Sequence, residues 1–160
     1  MNANVNRTPD VVDIHIAGVS KQRFRIDGDD SKIIELNTSD VGIADRLADA
    51  YPKLMELQEK ANKLKIDTGD GDGLDAVKLK ESTSKLMSID KEMRVQIDYI
   101  FDFPVNEVCA STGTMYDPIE GAFRYEIIVE ALINLYEKNY ANQMKKAKAR
   151  AKANTQKFTK

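Results

Sequence analysis

Residues 117–153 read DPIEGAFRYEIIVEALINLYEKNYANQMKKAKARAKA, and this stretch decides what kind of chain this is. Phe123, Ile127, Ile128, Ala131, Leu132, Leu135, Tyr136 and Tyr140 recur at intervals of three and four, which lines apolar side chains along one face of an α-helix. Asp117-Pro118-Ile119-Glu120 reads as its start. Aspartate serves as N-cap, proline takes the first helical position where its missing N–H is no loss, and glutamate completes a capping box. Alanine and lysine both favour helix, so the element is expected to run from Pro118 to about Ala153, roughly 36 residues and on the order of 54 Å. Its last third has almost no apolar face, so it should project from the body and fray at Asn154 and Thr155.

Working upstream, Asp75 to Phe101 reads as a second long helix whose apolar positions are sparse at first and dense at the end. Pro104 stops it, and Val105 to Ala110 forms one short turn. Before it, Asn37-Thr38-Ser39-Asp40 offers N-cap side chains for a helix carrying Ile43, Leu47, Ala50, Tyr51, Leu54, Leu57, Ala61 and Leu64 on one face. Pro52 should kink or split that helix. Earlier still the period changes to two. Val12, Ile14 and Ile16, then Phe24 and Ile26, then Ile33, Ile34 and Leu36 give three short strands, the last two joined by Asp27-Gly28, a pair suited to a tight hairpin. The fold class is therefore α+β: a small N-terminal antiparallel β meander followed by a mainly α-helical body with a long C-terminal helix. Residues 1–10 form a flexible arm, 11–143 a single domain and 144–160 a basic tail, helical or disordered. A small sheet with raw edges must pack on helices or pair with another subunit, so self-association into a homo-oligomer is expected.

Charge is unevenly placed. Of 24 basic and 26 acidic residues, seven basic ones (Lys145, Lys146, Lys148, Arg150, Lys152, Lys157 and Lys160) fall in the last 17 residues with no acid among them. The rest of the chain is thus acidic. Lys145, Lys146, Lys148, Arg150 and Lys152 are the candidate electrostatic contact with a partner, which for such a block is an acidic protein patch, nucleic acid or an anionic membrane, the alternative being a solvated terminus with no partner.

Chemistry-bearing residues are few. With one cysteine and one histidine in the chain, disulfides, the usual metal sites and catalytic triads have no material. His15 falls on the polar side of the first strand, and Cys109 precedes a polar loop with no CxxC companion, so neither reads as catalytic. The run Gly69-Asp70-Gly71-Asp72-Gly73 lacks the Gly-Lys-Ser/Thr ending of a phosphate loop. Its aspartates miss the EF-hand register, with Leu74 and Asp75 at the fifth and sixth positions, so it reads as a linker. The aromatics Tyr99, Phe101, Phe103, Tyr116, Phe123, Tyr125, Tyr136 and Tyr140 read as core around the junction of the last two helices, with a partner-binding groove as the second reading. No enzyme, cofactor or metal is expected. No apolar run reaches membrane length and no secretory pattern opens the chain, which points to a cytosolic protein without membrane contact.

Four segments taken together, VVDIHIAG (11–18), KQRFRIDGDDSKIIEL (21–36), NTSDVGIADRLADAYPKLMEL (37–57) and IDYIFDFPVNEVCASTGTMYDPIEGAFRYEIIVEALINLYEKNY (97–140), resemble tail assembly chaperones of long-tailed phages and prophages of Gram-positive bacteria. Ile100-Phe101, the loop around Gly113 and the helix from Pro118 take the places of that group's C-terminal helix, turn and further helix. The stretch from Pro104 to Met115 departs from it by lacking the Gly-rich form. The resemblance implies a non-catalytic protein of the host cytoplasm that binds the tape measure protein and keeps its long apolar helices soluble until tube subunits polymerise around them. Two other classes are consistent with the residues: a self-assembling structural component of the virion that uses its β edge, and a nucleic-acid accessory protein working through the basic tail. The acidic body weighs against the last.

Overall fold

The computed structural model describes residues 21–64 and 73–158. The expected strand through Val12, Ile14 and Ile16, His15, and most of the glycine-rich linker lie outside them. What the described part shows is a two-stranded antiparallel hairpin, β1 (Gln22–Ile26) and β2 (Asp29–Leu36), followed by a helical body. Asp27 and Gly28 both take positive φ (52° and 72°), the mirror-image turn that matches the twist of paired strands. Phe24 pairs with Ile34 and Gln22 with Leu36, and the register slips between Arg25 and Ile26. Ile34 and Leu36 are buried.

Helix α1 spans Gly42–Lys63. Asn37 and Asp40 act just ahead of it as Asx turns, and Asp40 Oδ1 accepts from Gly42 N at 2.9 Å. Pro52 does not split this helix. Pro52 and Ala48, whose carbonyl loses its donor, are both exposed, so water can take the bond that proline cannot make. Helix α2 (Ala76–Phe101) begins and ends where the sequence pattern places it: the Asp75 carboxylate accepts from Val77 N and Lys78 N, and Asp102 closes the helix in the left-handed region. Its first half is largely exposed, with Val77 and Met87 on the surface. The two helices run antiparallel, since Arg46 near the start of α1 donates to the Ile100 carbonyl at the end of α2 at 2.9 Å.

After the short helix α3 (Val105–Cys109), the structure corrects the reading of residues 118–123. They are not helix. Pro118–Ile119 (β3) and Ala122–Phe123 (β4) pair as a miniature hairpin, and the Glu120-Gly121 turn has φ of 51° and 89°. Two successive positive φ values cannot belong to a right-handed helix, so helix α4 starts later and spans Arg124–Phe158. The glutamate half of a capping box moves with it: Glu126, third in the helix, accepts from Phe123 N at 2.8 Å, while Phe123 has no side-chain oxygen to complete the other half. Tyr125 of α4 reaches Gln58 and Met55 of α1, and Tyr136 lies 6.2 Å from the Phe101 ring. Thus α4 runs antiparallel to α1 and passes its beginning at Tyr140. Every residue from 141 to 157 is exposed, as expected of a projecting end. The shared core contains Leu54, Met93, Ile97, Ile100, Val105, Met115 and Tyr125, all at most 0% exposed.

Candidate partner-binding surface

Two polar arrangements hold the helices in place around one apolar groove. The first is built on a buried aspartate, Asp90, with Arg94 and Asp98 half-buried beside it. Asp90, Arg94 and Asp98 follow one another at intervals of four along α2, next to the apolar line of Ile89, Met93 and Ile97. Asp90 Oδ2 receives Arg94 Nε at 2.7 Å, and Asp90 Oδ1 receives Met115 N at 2.6 Å. Arg94 also donates to the carbonyls of Ala110 (2.7 Å) and Gly113 (2.8 Å), while Asn106 Nδ2 donates to the Arg94 carbonyl and to Asp98 Oδ1, each at 2.7 Å. The loop between α2 and α4 is thereby fastened by its backbone. Burial raises the Asp98 carboxyl above its ordinary value, against the bonds from Asn106 and Val105 that favour its charge. None of these roles was read from the sequence, where acid and base four apart on a helix look like surface decoration.

Gly113 shows how tight the fastening is. Its φ is +79°, and a Cβ there would lie 2.5 Å from Asp117 Oδ2 and 2.8 Å from Arg124 Nη2. Gly113→Ala is expected to destabilise the chain by about 1–2 kcal/mol through left-handed strain and displacement of the Asp117–Arg124 ion pair, whose atoms lie 3.3 Å apart, read as a lower urea midpoint. An unchanged midpoint would show that the loop is slack.

The second arrangement is the Asp40–Arg46 pair at 2.7 Å, which orients the entrance of α1. The Arg46 guanidinium, by its hydrogen bond, holds the Asp40 carboxyl below its ordinary 3.8. A carboxyl lowered by folding contributes stability that is present above 3.8 and is lost as pH falls through the lowered value. In urea titrations at neutral and acid pH, Asp40→Asn should therefore lose less stability on acidification than the parent; equal losses would rule this pair out as a contributor.

Between α1 and α4 runs the groove itself. One hollow of about 340 Å³ is lined by Val41, Ile43, Ala44, Tyr136 and Tyr140, with Asp40 and Glu137 at its edge. A second, of about 770 Å³, shares Ala44 and continues along Leu47, Ala48, Tyr51, Val129 and Ile133, edged by Glu126 and Glu130. No lysine or arginine lines either hollow. The floor is apolar, the alanines leave room for a close approach, and all four charged lining groups are carboxylates. Tyr51 and Tyr140, 42% and 46% exposed, mark the two ends. The aromatic set read as core is thus divided: Phe101, Tyr125 and Tyr136 are buried, whereas Tyr99 and Tyr140 are on the surface.

The candidate contact residues Lys145, Lys146, Lys148, Arg150 and Lys152 are all exposed on the projecting half of α4. Helical periodicity separates them into two lines, Lys145, Lys148 and Lys152 on one side and Lys146 and Arg150 on another. They form no ion pair among the described residues.

Elsewhere chemistry is sparse. Cys109 is half-buried beside a third hollow, and burial pushes its thiol up to about 11, so it stays protonated at neutral pH. Among the described residues no three His, Cys, Asp or Glu side chains converge as metal ligands, and no helix is long and apolar enough to cross a membrane. No protein family, curated protein or solved structure matches the chain, so its function is to be argued from the groove and the charged helix beside it.

Proposed function

We propose that this protein is a tail assembly chaperone of a long-tailed phage or prophage, which binds helices of the tape measure protein in the host cytoplasm and keeps them soluble without catalysing any reaction. The observation that carries the reading is the groove between α1 and α4. It is open, apolar along its floor and rimmed by Glu126, Glu130 and Glu137, a shape and charge suited to an amphipathic client helix with basic flanks. Ala44 and Ala48 let such a helix approach to the usual 8–10 Å between axes. A long client with many similar helical segments would take many copies, each covering a short length.

Co-expression with the tape measure protein encoded next downstream, followed by the mass of any soluble complex, tests the proposal. Many copies per client, with the client insoluble alone, is the expected result. A client that is soluble by itself and carries no bound copies overturns it.

A further inference from the structure

We propose that two copies of this chain pair through antiparallel α4 helices, the basic end of each lying along the acidic edge of the other's groove. The order of charge along one helix face carries the argument. Glu137 lies four residues before Ala141 and Lys145 four after it; Glu130 lies eleven before and Lys152 eleven after. Four residues are about 40° past one turn and eleven about 20° past three turns, so the four charges fall within roughly 80° of arc centred on Ala141. Reversing the helix about that alanine exchanges acid for base at both levels.

Two antiparallel copies therefore set Glu137 against the second copy's Lys145, and Glu130 against the second copy's Lys152, with each pair repeated by the two-fold. All four side chains are exposed and none has an ion-pair partner within the described chain. A parallel pairing would instead oppose like charges. Ala141 at the axis lets the helices approach. Tyr140 and Met144, 46% and 38% exposed, flank the arc on the groove side, so the two-fold gathers both copies' pairs along one side of the seam. Because the surface is self-complementary, the interface closes at two. The inference does not rest on the client reading; because Glu130 and Glu137 edge the same groove, a client with basic flanks would have to displace the second copy's Lys152 and Lys145, so pairing and client binding compete.

Sedimentation of the full chain alone at tens of micromolar is the test, with helicity and melting as controls for the exposed substitutions. Twice the chain mass is expected, falling toward one chain as salt is raised. E130K/E137K should weaken pairing at least about tenfold, and K145E/K152E equally, since each variant places like charges opposite at both levels. Mixing those two variants should restore a 1:1 pair, all-lysine face against all-glutamate face. A monomeric parent, a larger assembly, or a dimer indifferent to either reversal overturns the proposal.

Discussion

Asp90→Ala is expected to lower the free energy of unfolding by about 3 kcal/mol, near the range found when one partner of a buried ion pair is removed. Asp90 is 4% exposed, and its two oxygens do different work: one holds Arg94, the other satisfies Met115 N. The alanine leaves an amide unpaired in the core and a guanidinium without its counter-charge. Arg94 then loses the orientation in which it holds the carbonyls of Ala110 and Gly113. At this chain size the loss corresponds to a fall in melting temperature of about 6–12 °C. Asp90→Asn keeps an acceptor of the same shape and should cost less. Replacing the pair together, as Asp90→Leu with Arg94→Met, should not recover the loss, because the buried backbone groups of Ala110 and Met115 would still lack partners. Urea denaturation of the three variants checks this order, and a change within about 0.5 kcal/mol for Asp90→Ala would show that the loop is held by packing alone.

Filling the groove should abolish client binding. Ala44 and Ala48 are four residues apart on the exposed face of α1 and contribute to its wall. In the double variant Ala44→Arg/Ala48→Arg, two guanidiniums would reach across toward Glu126, Glu130 and Glu137 and occupy the space a client helix needs. Arginine is nearly as good a helix former as alanine, so the fold should melt where the parent does. In co-expression, the amount of tape measure protein held in solution is expected to fall about tenfold or more, the effect of removing a central packing contact and reversing the local charge. Ala76→Arg, exposed at the start of α2, is the matched control and should bind as the parent does. Full retention by the groove variant would move the client surface elsewhere.

Much of the architecture was legible because its signals are local. Asp75 caps α2, Asp27-Gly28 turns the hairpin, and the three-and-four spacing from Phe123 to Tyr140 marks α4, each within a few residues of chain. The misplaced start of α4 shows two local signals in competition. Asp117-Pro118-Ile119-Glu120 satisfies a capping box on paper, but Glu120-Gly121 also satisfies a two-residue hairpin turn, and Gly121 lets the turn prevail. Asp90, Arg94 and Asp98 were missed for a different reason. Their burial comes from residues 102–117 folding back over α2, which no window of helix sequence contains. The groove was illegible in the same way: whether a stripe of apolar residues is covered depends on its neighbour, and here α1 and α4 leave a gap along part of their length.

Because α4 is continuous across Tyr140, the body acts as a permanent nucleus for the helix beyond it. An isolated segment of that length would be marginal in water, since forming its first turn is disfavoured by a factor of about a thousand. Residues held by Tyr125, Val129, Leu132 and Tyr136 have already met that cost, so each residue from Ala141 onward adds only by propagation. In the unpaired chain, amide hydrogen exchange should divide the helix accordingly: slow and tied to opening of the core up to Tyr140, then progressively faster toward Phe158 as the end unzips. The basic segment is thus helical at the pleasure of the body, and anything that loosens the core will melt its charge pattern as well.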